Sequence, residues 1–340
     1  MRRDTHCELG RIYIKTYSEL YKHIYSSLKR VKKTRKTSYK TLLKKKIHYS
    51  YEIMISELGA LYRAVKTINT CGEFHRELFK VYTSEDIESY ISLAKRRIHQ
   101  ARVVYREIMR EIESQEEQHI RLINSAFRKG LGRLLSIYKR TNSRIKQVKE
   151  YLKEASKIPD IRGDYVIVLA GLPQVGKSTL LSKLTTAKPE IGVYPFTTKT
   201  IIAGHCDLGL TGRVVILDLP GILDSPIEEK NIIEHRAILA IKHLADHAFY
   251  IFASHPGFYY TLDEQVNVYN TVTRLLSGKK ITVLLNKVDL LSSEEVNKLI
   301  EEIKARIGVE PIPISAQAGL NIDRVLEVIT ESFKEKTQYH

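Results

Sequence analysis

A doubly wound α/β domain preceded by an all-α helical bundle is the architecture this sequence predicts, and three observations carry it. The apolar period is helical through the first 160 residues and then alternates between strand and helix. Pro159 is the first proline of the chain, so nothing earlier interrupts long helices. Charge divides at the same place: residues 1–160 carry 36 Lys and Arg against 18 Asp and Glu, and residues 161–340 carry 19 against 21. At 340 residues there is room for two cores. The expected domains are a basic helical bundle over 1–160 and an α/β domain over 161–340.

In the first half, Tyr13, Tyr17, Tyr21 and Tyr25 recur every four residues beside Leu20, Ile24, Leu28 and Val31. This reads as one apolar stripe of a helix, its tyrosines packed in the core rather than offered as a base-stacking surface. A second helix runs from about Leu42 to Ile68 and ends at Cys71-Gly72. Thr83-Ser84-Glu85-Asp86 resembles a helix start, a capping hydroxyl followed by acids. The helix it opens runs towards residue 120. A fourth spans Ile120 to Ala155, with Gly130 and Gly132 as weak points, and Pro159 closes it.

Beyond Pro159 the period changes. Tyr165–Ala170 is a short buried strand, followed by a glycine-rich loop and a helix. Residues 199–206 and 213–217 read as a strand pair joined through Gly209–Gly212. Strands near 247–253, 280–285 and 311–314 then alternate with helices near 229–245, 262–276, 293–307 and 321–335. In such a sheet, ligands bind at the carboxyl ends of the strands.

Composition narrows the setting. Cys7, Cys71 and Cys206 are too widely spaced for a C-x-x-C metal pair or a disulfide framework, which favours a reducing cytoplasm. No apolar run approaches the roughly 20 residues that span a bilayer. The basic start MRRDTHCELGRIYIK lacks the apolar core of a signal peptide. The expectation is therefore a cytoplasmic protein with no membrane partner.

Gly171-Leu-Pro-Gln-Val-Gly176-Lys177-Ser178 matches G-x-x-x-x-G-K-[ST] directly after a strand and before a helix. Backbone N–H groups wrap the phosphates there, Lys177 neutralises the β- and γ-phosphates, and the Ser178 hydroxyl ligates Mg²⁺. The expected phosphate site is Gly171, Pro173, Gln174, Val175, Gly176, Lys177, Ser178 and Thr179. Asn286-Lys287-Val288-Asp289 follows the apolar strand 281–285. A carboxylate at Asp289 accepts from guanine N1–H and the exocyclic amine, whereas adenine would leave it facing a lone pair. Ser315-Ala316-Gln317 fits the loop whose backbone N–H meets guanine O6. Asp218-Leu219-Pro220-Gly221 ends the strand 213–217, with Asp218 holding Mg²⁺ through a water and the Gly221 N–H sensing the γ-phosphate. Between it and the P-loop, one threonine of Tyr194–Lys199 completes the Mg²⁺ shell. The domain expected is a P-loop GTPase, with GTP/GDP and Mg²⁺ as its ligands.

The segments GLPQVGKSTLLSKLTTAKPEIGVYPFTTKTIIAGH, DLPGILDSPIEEKNIIEHRAILAIKHLAD and NKVDL resemble the Nog branch of the Obg-like GTPases, the nucleolar GTP-binding proteins and their archaeal relatives. The resemblance covers residues 160–335 and extends upstream through AFRKGLGRLLSIYKR. It implies a helical N-terminal domain, a role in assembly of the large ribosomal subunit, and Thr198 as the switch ligand with Phe196 and Thr197 beside it. It implies no stable oligomer. Eukaryotic members continue past the GTPase domain, so this chain resembles a short, archaeal-type member. Potassium-activated relatives hold their ion with an asparagine where Gln174 stands, which argues against K⁺. Ile222 occupies the place of the Ras-like glutamine, so unaided hydrolysis is expected to be slow.

Residues 29–46 carry ten Lys and Arg: Lys29, Arg30, Lys32, Lys33, Arg35, Lys36, Lys40, Lys44, Lys45 and Lys46. No acid lies between Glu19 and Glu52, so the charge has no partner nearby in sequence. RNA phosphates would satisfy it, which makes large-subunit rRNA and assembly intermediates the expected partners. Two alternatives stand beside this reading. A signal-recognition-type targeting GTPase also carries a helical bundle, but its motifs read T-K-x-D and D-T-A-G-R. A placeholder that GTP merely stabilises would carry the same binding residues.

Overall fold

The computed structural model describes residues 9–32, 37–159, 161, 163–195, 199–209, 212–221 and 241–338. The chain divides into two compact units, both discontinuous in sequence. The helical unit takes residues up to Thr70 together with Tyr82–Ala155; Cys71–Val81 belongs with the α/β unit from Ser156 onward.

In the helical unit, α1 (Tyr17–Arg30) opens on a reciprocal cap. The Thr16 hydroxyl accepts from the Glu19 N–H while the Glu19 carboxylate accepts from the Thr16 N–H, satisfying two donors that a helix start leaves orphaned. Leu20, Ile24 and Leu28 form its buried face. The tyrosines do not: Tyr13, Tyr21 and Tyr25 are exposed, correcting the expectation that they pack in the core. An i,i+4 row drifts about 40° per step around a helix. Leu20–Leu28 and Tyr17–Tyr25 are therefore distinct rows, and the aliphatic one took the core.

α2 (Tyr39–Thr70), α4 (Ile87–Glu113) and α5 (Ile120–Ala155) pack together through Met54, Leu58, Leu61, Ile108, Leu134 and Tyr138. α5 is unbroken. A Cβ on Gly130 would lie 2.6 Å from Ile108, so this glycine brings α4 and α5 close rather than weakening the helix. Thr83 does not cap α4. Its hydroxyl accepts from the Glu85 N–H in a tight turn where Ser84 has φ +59°, and Asp86 stands at the N-cap without its side chain capping the helix. A short helix, α3 (Glu73–Thr83), begins just past Gly72, where the sequence reads as a terminator, and most of it belongs to the α/β unit. Phe74, Leu78 and Phe79 of α3 are buried. Cys71 is disulfide-bonded, against the expectation of free thiols, because distance along the chain does not limit proximity in space. Cys206 is a free, buried thiol.

The α/β unit is a seven-stranded sheet in the order β2-β3-β4-β1-β5-β6-β7. Its strands are β1 (Tyr165–Ala170), β2 (Glu190–Val193), β3 (Thr200–Asp207), β4 (Arg213–Asp218), β5 (His247–Ala253), β6 (Lys280–Asn286) and β7 (Ile312–Pro313). β1 pairs parallel with both β4 and β5 and is buried along its whole length. β2 and β3 run antiparallel to their neighbours at one edge. The edge strand β2, exposed along most of its length, carries no core pattern that the sequence could reveal. Among the described residues the unit also holds α6 (Lys177–Leu184), α7 (Leu262–Leu275), α8 (Ser293–Ile307) and α9 (Ile322–Gln338); most of the helix expected near 229–245 lies outside the described residues. No described helix is long and apolar enough to cross a membrane.

Candidate nucleotide site

The motif residues converge where β1, β4, β6 and β7 end. β1 runs into the loop 171–176, and α6 starts from Gly176. Two glycines are required by geometry. Gly171 has φ +136°, and a Cβ there would sit 2.5 Å from the Ile251 carbonyl of β5. Gly176 has φ +98°, and a Cβ there would run into Asn286 Nδ2. Gln174, exposed, adopts φ +67° at the turn of the loop. Pro173 is half-buried, Val175 is fully buried, and Thr179 lies half-buried in the first turn of α6.

Lys177 is largely buried and its ammonium donates to the carbonyls of Gly171 (2.8 Å) and Leu172 (3.0 Å). The Ser178 hydroxyl donates to Asp218 Oδ2 at 2.6 Å, and Asp218 is fully buried at the end of β4. A hydroxyl and a carboxylate this close at the mouth of a phosphate loop are hard oxygen donors suited to Mg²⁺. With Mg²⁺ bound, phosphate oxygens would complete its shell and Lys177 would turn to the phosphates. Gly221 has φ +76° and faces the Lys199 side chain, where a Cβ would meet Lys199 Cδ at 2.9 Å. Phe196, Thr197, Thr198 and Ile222 lie outside the described residues.

On the base side, Asn286 is buried and joins three segments. Its Nδ2 donates to the Val175 carbonyl (2.8 Å), and its Oδ1 accepts from the Ala316 N–H (2.9 Å). One donor and one acceptor fix the orientation of the amide. The Ala316 amide is thus taken by Asn286. Ser315 is fully buried and its hydroxyl accepts from the Ala318 N–H (3.0 Å). Gln317 is exposed. Lys287 has φ +65°, which throws the chain into the short 3-10 turn Val288–Leu290 and leaves Asp289 exposed at the mouth.

Two supports had no signal in the sequence. Gln265 of α7 is buried and clamps the end of β5, accepting from the Ala253 N–H and donating to the Ala253 carbonyl, both at 2.9 Å. The Lys287 ammonium lies 3.1 Å from His255 Nε2 and 5.7 Å from the centre of the Phe258 ring. His255 Nδ1 donates to the Pro256 carbonyl (2.9 Å), which leaves Nε2 to accept from Lys287. A motif fixes the spacing of residues along the chain, whereas both supports depend on which strand lies beside which.

Of the basic segment, Lys29, Arg30, Lys32 and Lys45 are exposed, and Lys46 is half-buried. Lys40 and Lys44 are not unpartnered, correcting the expectation drawn from the lack of nearby acids. Lys44 pairs with Glu113, and Lys40 donates to the carbonyls of Glu113 (2.6 Å) and Gln115 (2.9 Å). These acceptors lie at and just beyond the end of α4, about 70 residues away in sequence. Lys33, Arg35 and Lys36 lie outside the described residues.

Residues 166–287 match the family model described as 50S ribosome-binding GTPase. The chain is 27% identical over 306 residues to a nucleolar GTP-binding protein 1 of Drosophila melanogaster, covering 87% of this chain and 45% of that protein. It is 38% identical over 166 residues to an uncharacterized protein of Methanocaldococcus jannaschii, covering 49% of this chain and 46% of the other. A crystal structure of a nucleolar GTP-binding protein 1 from Plasmodium falciparum superimposes with a TM-score of 0.43 at 26% identity, over 52% of this chain and 89% of that one. The chain spans less than half the length of these curated relatives.

Proposed function

We propose, for a chain that belongs to the nucleolar GTP-binding protein family of P-loop GTPases, that it is a GTP-hydrolysing switch in large-subunit assembly whose helical unit docks on rRNA. The observation that carries the nucleotide half is the interlock at Asn286, which ties the phosphate loop to the base loop through two buried hydrogen bonds. With it stands Ser178 against Asp218, the pair placed to hold Mg²⁺. Loop amides and Lys177 would bind the phosphates. Asp289 would read the guanine edge, and Thr198 would join the Mg²⁺ shell only when the γ-phosphate is present. Hydrolysis would be slow, because Ile222 cannot orient water. Slow turnover suits a protein whose nucleotide state reports docking on a large partner.

The RNA half rests on the charge of the helical unit and on Lys29, Arg30, Lys32 and Lys45, which are exposed and form no ion pair among the described residues. A filter-binding titration of the full chain against large-subunit rRNA, loaded with GTP analogue or GDP, tests both halves. The Lys29→Glu, Arg30→Glu, Lys45→Glu variant should bind weakly. It should also flatten the salt dependence by about 0.7–0.9 in the log–log slope for each phosphate that is no longer neutralised. Equal affinity in the two nucleotide states would refute the switch and favour the placeholder. A charge-reversed variant that binds as the parent does would refute the docking surface.

A further inference from the structure

Tyrosine is amphipathic, and an exposed row of it on a helix leaves apolar ring area in water unless something covers it. Tyr17, Tyr21, Tyr25 and Lys29 form one i,i+4 row on α1. Tyr21 and Tyr25 are 37% and 43% exposed, with ring centroids 4.4 Å apart and planes tilted by 32°. Tyr17, half-buried, lies behind Tyr21 at 6.0 Å. Three other tyrosines of the helical unit are already engaged. Tyr13 donates to Glu19 and lies under the Lys149 ammonium, Tyr39 donates to Asn124, and Tyr51 stacks on Tyr105. Tyr25 is backed on one side by Tyr21, and the next residue of its row is Lys29.

The charge around this pair has one sign. Lys22, Lys29, Arg30 and Lys32 are exposed, and among the described residues none forms an ion pair. The only acid of α1, Glu19, is taken up by Thr16, Tyr13 and Lys149. A polyanion with flat apolar faces satisfies both features, and single-stranded nucleic acid is that polymer. A duplex offers phosphates but keeps its base faces stacked on one another.

We propose that Tyr21 and Tyr25 form a stacking platform for an unpaired RNA base, with Lys22, Lys29, Arg30 and Lys32 on the flanking phosphates. The helical unit thereby selects loops or single strands over uninterrupted duplex. This rests on the RNA reading above and adds the class of RNA recognised. Tyr21 holds Tyr25 in place, so that the base meets a ring already ordered.

The test is fluorescence anisotropy of the full chain with a labelled 12-nucleotide oligouridine and with a blunt 12-base-pair RNA duplex. Tyr25→Ala should weaken oligouridine binding about 5- to 150-fold, the span of one base–aromatic stack. Tyr25→Phe, which keeps the ring, should bind as the parent does. Duplex affinity should be unchanged in Tyr25→Ala, whereas Lys29→Glu, Arg30→Glu should weaken both probes. Parental oligouridine affinity in Tyr21→Ala, Tyr25→Ala, alongside weakening in the charge variant, would overturn the stacking platform and leave the phosphate surface standing. A parent chain that binds neither probe would overturn both.

Discussion

Replacing Asn286 by leucine removes the two hydrogen bonds that join the phosphate loop to the base loop without opening a large cavity. The Val175 carbonyl and the Ala316 N–H would both be left buried and unpaired. An orphaned buried polar group costs about 1–3 kcal/mol, so the pair should cost about 3 kcal/mol even after some relaxation. For a unit of this size about 1 kcal/mol shifts the melting temperature by about 2–4 °C, so the nucleotide-free chain should melt about 6–12 °C lower. Asn286→Asp should do no better, because it keeps the acceptor for Ala316 but sets a carboxylate oxygen against the Val175 carbonyl. Gly176→Ala attacks the same junction from the other side, by driving a Cβ into Nδ2 at a backbone φ of +98°. Scanning calorimetry on nucleotide-stripped protein, with titration of a fluorescent GDP analogue, measures both consequences. Affinity should fall at least tenfold because the loop is no longer held in its binding shape. If Asn286→Leu melts within about 2 °C of the parent, less than the shift worked above, the asparagine serves the base only and the interlock carries no energy.

Other residues give three further outcomes. Asp289 is exposed and, among the described residues, has no partner, so Asp289→Asn should leave stability unchanged while letting xanthine nucleotides replace guanine nucleotides in a competition assay. Gln174→Asn should strengthen potassium over sodium in steady-state GTP hydrolysis, since asparagine tolerates the loop's φ of +67° and its shorter amide can reach an ion; equal rates in both salts would count against it. Burial, reinforced by Lys280, holds the His247 imidazole near pKa 4. The unfolded chain therefore takes up a proton near pH 6.5 that the folded one refuses. The stability His247 contributes is complete above about pH 6.5 and is lost as pH falls towards 4, by about 2 kcal/mol between about pH 7 and pH 5. In urea unfolding, His247→Gln should flatten that part of the acid limb, and an unchanged slope would refute the assignment. His75, pushed down to about 4 by burial, should add a loss over the same range.

What was legible in the sequence was what is written locally. The turns at Gly171 and Gly176 take positive φ, a local demand that the G-x-x-x-x-G-K-S spacing announces even though the Ile251 and Asn286 contacts that also exclude a Cβ lie far along the chain, and β1 is a run of apolar residues buried on both faces. Interactions that depend on distant segments left no local trace. Asn286 reaches Val175 across 111 residues, and Lys44 meets Glu113 across 69. β2 is an edge strand with no buried face, and α3 starts where Gly72 reads as an end. The tyrosine row shows a different limit. Periodicity reports that residues share a face of α1 but not which face turns inward, and Leu20, Ile24 and Leu28 compete for the same core with no polar hydroxyl to satisfy.

The interleaving of the two units bears on how the protein can be taken apart. Because Cys71–Val81 is woven into the α/β unit from the middle of the helical stretch, a cut near residue 160 does not free two self-sufficient halves. A fragment beginning there lacks the segment whose Phe74, Leu78 and Phe79 are buried, and the complementary fragment carries those side chains as an unpaired apolar stripe. Separation that respects the architecture would excise residues 82–155 together with the leading helices and splice Cys71–Val81 directly ahead of Ser156. During synthesis the ribosome releases α3 long before the strands it belongs with, so this short helix must wait for about 80 residues of intervening chain before its own unit can close around it.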